Sequence, residues 1–172
     1  MKLAIMHQAA PGRDPRGSPS SGNAACATEA AAAERHVFVY GTLRRGGAND
    51  INRLVPAPRF VGHARLAGTL HHLGAYPGLV LGGTTQVLGE IYAIEAALEP
   101  VLDQIEEVYP QNSDEYAKRE VPVAVAGCEL RCLVYEINPA YVRGRPVVQS
   151  GDWLAETGAI SNDEMMIPDM KI

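Results

Sequence analysis

From His36 onward the chain is cut by glycine and proline into short β-branched and aromatic runs, with one definite stretch of helical periodicity among them. Many short strands with one helix restrict the chain to a small α+β fold or a partly closed barrel. His36-Val37-Phe38-Val39-Tyr40 reads as a buried strand that stops at Gly41. Residues 41–47 read as a glycine-bracketed loop, and residues 48–55 as a short helix interrupted by Pro56 and Pro58. Residues 59–73 read as one or two strands, with Gly62 and Gly68 at bends or bulges. A turn at Tyr76-Pro77-Gly78 precedes a strand over residues 86–94. That strand leads into a helix with Pro100 in its first turn, where the amide has no partner to lose, and the helix ends near Val108. Residues 116–126 and 128–137 read as a hairpin joined at Gly127, with Val121, Val123 and Val125 on one face.

Composition narrows the working part. Of the 172 residues, the first 35 hold 10 of the 24 alanines and, beyond two methionines, only Leu3 and Ile5 as larger aliphatic side chains. So little apolar area does not offset the entropy of ordering, and residues 1–35 are expected to be a disordered N-terminal extension. Residues 36–155 form the expected domain, and residues 156–172 a C-terminal tail. Without the first 35 residues the chain has 11 Lys and Arg against 17 Asp and Glu, a net charge of −6. An acidic chain with no cationic cluster beyond Arg44-Arg45 is not an electrostatic nucleic-acid binder. No apolar run approaches a membrane span, and the apolar stretch at the start is too short for a signal peptide, so no membrane partner is expected and the cytoplasm is the expected compartment. No long apolar stripe is left over on the surface, so a monomer is expected. Cys26, Cys128 and Cys132 lack paired spacing, and the last two read as small buried hydrophobes.

In the helix, Leu98, Val101, Leu102, Ile105 and Val108 fall within about 120° of arc, an apolar stripe facing the core. Asp103 and Glu107 lie roughly opposite that stripe, whereas Glu106 lies at its edge, about 105° from its centre. A carboxylate at such an edge can reach a cavity beside the core, lose hydration and acquire a raised pKa suited to proton transfer. Periodicity alone also allows an ordinary solvated acid. Tyr40-Gly41-Thr42-Leu43 offers backbone amides at a strand end, where glycine permits close approach to an anion; a plain turn is the alternative. The spacing is not that of a phosphate-binding P-loop. Arg44 and Arg45 read as solvated loop residues, with attraction of an anionic group the other reading. His71 and His72, adjacent in a strand, point to opposite faces and cannot jointly hold a metal. Ser150 lacks a nucleophile-elbow context, and Trp153 reads as a core plug after the turn at Gly151-Asp152.

Taken in order, Val37-Phe38-Val39-Tyr40-Gly41-Thr42-Leu43-Arg44-Arg45-Gly46, Tyr76-Pro77-Gly78, Gly89-Glu90-Ile91-Tyr92, Leu102-Asp103-Gln104-Ile105-Glu106, Tyr116-Ala117-Lys118-Arg119 and Ser150-Gly151-Asp152-Trp153 resemble the γ-glutamylcyclotransferase-like family, which includes γ-glutamylamine cyclotransferases and plant avirulence-induced proteins. The resemblance implies a compact mixed β-barrel of about six strands with flanking short helices. It implies an enzyme that cyclises the γ-glutamyl group of a γ-glutamyl amine or amino acid to 5-oxoproline, with no cofactor and no metal. Glu106 would be the catalytic acid–base, and Tyr40, Gly41, Thr42 and Leu43 would hold the substrate's α-carboxylate. Tyr116 would be a pocket wall or hydroxyl donor. A non-catalytic binding module for small carboxylates on the same fold is the alternative. The chain departs from the family pattern after Glu106, where many members place a glycine and this one has Glu107-Val108-Tyr109-Pro110.

Overall fold

The structure, a computed structural model, describes residues 34–106 and 114–158. Residues 1–33 of the expected extension, the tail from 159, Cys26, Glu107 and Val108 lie outside the described residues. Five strands form one mixed sheet: β1 (Arg35–Val39), β2 (Arg59–His72), β3 (Pro77–Ile94), β4 (Tyr116–Val125) and β5 (Cys128–Ile137), in the order β2-β3-β1-β5-β4. β1 pairs antiparallel with β3, Val39 opposite Glu90, and parallel with β5, Val37 opposite Leu133. Among the described residues no ladder joins β2 to β4, so the sheet has five strands and is open, and the expected compact mixed β-barrel of about six strands describes it only loosely. Its edges nonetheless approach: a Cβ on Gly62 would lie 2.8 Å from Val125 Cγ2.

Burial on both faces explains the continuous apolar run of β1. Val37 and Val39 face one cluster with Leu43, Ile51, Tyr92, Leu98, Leu102 and Tyr135, while Phe38 and Tyr40 face another with Ile91, Val134, Val148 and Trp153. The first cluster is covered by α1 (Glu99–Ile105), with Pro100 at its start as its missing amide requires. Leu98 and Leu102 of the apolar stripe are fully buried, and Val101 and Ile105 pack against them partly exposed. Trp153 opens α2 (Trp153–Thr157), which Asp152 caps by accepting from the amides of Leu154 and Ala155. The expected plug is therefore the first residue of a short helix, its ring 4.9 Å from that of His72.

One local expectation holds and two change. The expected strand or strands over 59–73 are the single strand β2, ending at His72, whose register shifts fall between Phe60 and Gly62 and between Ala67 and Gly68, the two glycines marked as bends or bulges. The bend lies at residues 74–76, and Pro77 already opens β3, whose first half pairs with β2. The expected helix over residues 48–55 is only one 3-10 turn, Ile51–Arg53, capped by Asp50. The hairpin of β4 and β5 turns at Ala126 and Gly127, both with positive φ, and keeps Val123 and Val125 buried.

Candidate functional site

The C-terminal ends of β1 and α1 and the N-terminal ends of β3 and β4 converge on a cavity of about 240 Å³. Its wall includes all six residues singled out from the sequence: Tyr40, Gly41, Thr42, Leu43, Glu106 and Tyr116.

Glu106 is the C-cap of α1, its amide bonded to the Leu102 carbonyl at 3.0 Å. Burial pushes its carboxyl up to about 7, and the negative charge of Glu115 adds to the shift. The carbonyl end of the helix, which disfavours an anion, acts in the same direction. Glu106 takes part in none of the ion pairs among the described residues. A carboxyl in this state exchanges a proton near neutral pH. Asp103, expected to face solvent, instead accepts from Tyr135 Oη at 2.7 Å and pairs with Lys118 Nζ at 2.8 Å. Tyr135 of β5 and Lys118 of β4 both reach this carboxylate, so it is paired by side chains distant in sequence.

The loop after β1 is built by its own backbone. Arg44 N donates to Gly41 O, Asn49 N to Thr42 O and Ile51 N to Leu43 O, at 2.9 to 3.1 Å. These bonds use the carbonyls of Gly41, Thr42 and Leu43, while the amides of Thr42 and Leu43 are not spent in them. Gly41 is required by packing: a Cβ there would lie 2.7 Å from Pro77 Cγ. Its φ lies outside the left-handed region, so the close neighbour that demands glycine is Pro77.

Arg44 departs furthest from its sequence reading. It is 4% exposed, pairing through Nε with Glu90 Oε1 at 3.2 Å and through Nη1 with Asp152 Oδ1 at 2.7 Å. Glu90, itself buried, also accepts from the Arg45 amide at 3.0 Å and from Tyr92 Oη at 2.9 Å. This carboxylate ties the loop to β3, and Asp152 ties it to α2. Arg45 does face outward, over the ring of Phe60.

The phenols of the cavity are structural donors. Tyr40 Oη donates to the Tyr135 carbonyl at 2.6 Å, and Tyr116 Oη to the Pro77 carbonyl at 2.9 Å. Burial raises the pKa of both, so they stay protonated. Tyr116 is thus a wall whose hydroxyl proton is already committed, rather than a free hydroxyl donor. Tyr76, whose turn position allows a tyrosine to line a pocket, does line the cavity, while sequence reasoning missed Glu115 and Asn49 in its wall and Glu90 behind it. Glu90 stood inside a quoted motif, and an acid in an otherwise apolar strand was the available signal. His71 and His72 lie apart from the cavity, on successive positions of β2. Cys128 is partly exposed, whereas Cys132 is buried and its thiol is pushed up to about 12 by that burial. Among the described residues no helix is long and apolar enough to cross a membrane.

Comparison with known proteins places this architecture. A family model described as "Gamma-glutamyl cyclotransferase, AIG2-like" matches residues 37–155. A Vibrio cholerae protein named "Putative gamma-glutamylcyclotransferase" is 33% identical over 125 residues, covering 68% of this chain and 93% of that protein. The crystal structure of an AIG2-like protein from Mus musculus is similar with a TM-score of 0.56 and 26% identity, covering 67% of this chain and 86% of that one. A uropathogenic E. coli-specific protein shares the fold at a TM-score of 0.60 and 20% identity, covering 76% of this chain and 100% of its own.

Proposed function

This chain belongs to the gamma-glutamyl cyclotransferase, AIG2-like family, and we propose that it is an enzyme cyclising the γ-glutamyl group of a small γ-glutamyl amine or amino acid to 5-oxoproline. The observation that carries this reading is a carboxyl held near pKa 7, Glu106, in the same cavity as the loop of Tyr40, Gly41, Thr42 and Leu43.

The amides of Thr42 and Leu43 would receive the substrate's α-carboxylate, holding the α-nitrogen within reach of the γ-carbonyl. Glu106 accepts a proton from the α-ammonium, the freed amine forms a bond to the γ-carbon, and the bond from that carbon to the departing nitrogen breaks. The proton returns through Glu106 to the leaving nitrogen. The cyclised nitrogen gives up two protons in all and the amine leaves as an ammonium ion, so no net proton is consumed and no cofactor enters. Ring closure is already intramolecular, and fixing the near-attack conformer supplies much of the acceleration. Tyr40 and Tyr116, with their hydroxyls bonded to the protein, shape the wall around the folded substrate.

The test is 5-oxoproline release from γ-glutamyl amides by the wild-type protein and by Glu106→Gln. Turnover that falls by about 100-fold or more in the variant is expected, the scale of lost acid–base catalysis. Full activity in the variant sinks the assignment, and binding without turnover of any γ-glutamyl compound would instead favour a binding module.

A further inference from the structure

The cavity has a second carboxylate that the cyclisation does not use. Glu115 lies just before β4 and lines the wall with Glu106. It is fixed in place: Tyr76 Oη donates to its Oε1 at 2.7 Å, and its carbonyl accepts from the Asn138 amide at 2.7 Å. The neighbouring Asp114 is held by Tyr141 Oη at 2.6 Å and by Asn138 Nδ2 at 3.0 Å. Among the described residues lining the cavity there is no Lys, Arg or His, and Glu115 belongs to none of the ion pairs. Among the described residues the cavity therefore offers a positioned negative charge without a counter-charge of its own.

Resting on the cyclisation proposed above, we infer that Glu115 is a specificity-determining residue selecting γ-glutamyl amides whose leaving amine carries a second, distal ammonium over those whose leaving group carries a carboxylate. The physical ground is asymmetric. A distal ammonium supplies the charge the wall lacks, whereas a distal carboxylate meets Glu115 as a like charge in a partly desolvated space. Tyr76 holds the carboxylate in one position, so little side-chain entropy is lost on pairing. The charge of Glu115 also acts on Glu106, so a bound ammonium relieves part of that repulsion and favours the ionised base.

Three substrates matched in length test this: the γ-glutamyl amides of ethylenediamine, propylamine and β-alanine, which differ only in ending in an ammonium, a methyl or a carboxylate. The wild-type kcat/KM, read as 5-oxoproline release, is expected to fall in that order by about tenfold per step, the scale of a charge-assisted hydrogen bond. Glu115→Gln is expected to narrow each step to about threefold or less, and Glu115→Lys to invert the order. Ratios within one preparation do not depend on how much of a variant is folded. A wild-type enzyme that turns over all three without preference overturns the inference, as does a preference unchanged in Glu115→Gln. No 5-oxoproline from any substrate overturns the proposed function and this inference with it.

Discussion

Two carboxylates within one small domain, Glu90 and Glu106, show how pairing separates a structural acid from a chemical one. Glu90 is 2% exposed and fully engaged, accepting from Arg44, the Arg45 amide and Tyr92. Glu106 lies half-buried at a cavity wall with no ion-pair partner among the described residues, and burial pushes it up to about 7. A buried charge persists when its field is matched; without a match the group holds its proton instead. The matched cluster fixes the loop, and the unmatched carboxyl faces the space that the loop encloses.

Breaking the match should have the largest effect on stability. Arg44→Met leaves Glu90 and Asp152 without their cation and is expected to cost about 4 kcal/mol by urea denaturation. Adding Glu90→Gln should recover part of that loss, a non-additivity that a double-mutant cycle reads directly. Gly41→Ala is expected to cost about 2 kcal/mol, because its new methyl meets Pro77 across a packed contact; the same variant should raise KM for a γ-glutamyl amide.

The unmatched carboxyl predicts a pH signature of the opposite sense. With its folded pKa raised above that of the unfolded chain, Glu106 binds more protons when folded. Its favourable contribution is complete below the unfolded value and is lost as pH rises through about 7. Glu106→Gln should therefore stabilise the fold at pH 8 by about 1.5 kcal/mol, a value reduced for the partial exposure of the group, and by nothing measurable at pH 4. The smallest expected effect is that of Tyr116→Phe, which loses one hydrogen bond to the Pro77 carbonyl, about 1 kcal/mol in thermal or urea unfolding.

What was legible in the sequence follows the range of the interactions concerned. β1 follows from a continuous apolar run and the hairpin of β4 and β5 from local alternation and a glycine turn, and the bulges of β2 fall at the glycines that mark them. Glu106 stands out because a helix edge is a local property. The first half of β3 was hidden because Pro77 and Gly78 read as turn residues, although pairing with β2 makes a strand of them. Arg44 read as solvated because its partners come from positions 46 and 108 residues away. Asp103 likewise depends on Tyr135, brought beneath α1 only by the order of the sheet. Glu115 and Tyr76 meet in the same way, across 39 residues.

The central claim is that Glu106 is a desolvated carboxyl without a counter-charge among the described residues, and titrating its side-chain carboxyl carbon by NMR in the intact protein tests it most directly. A midpoint near pH 7, moving downward in Glu115→Gln, is the predicted result. A midpoint near the ordinary glutamate value of about 4.3 would contradict it.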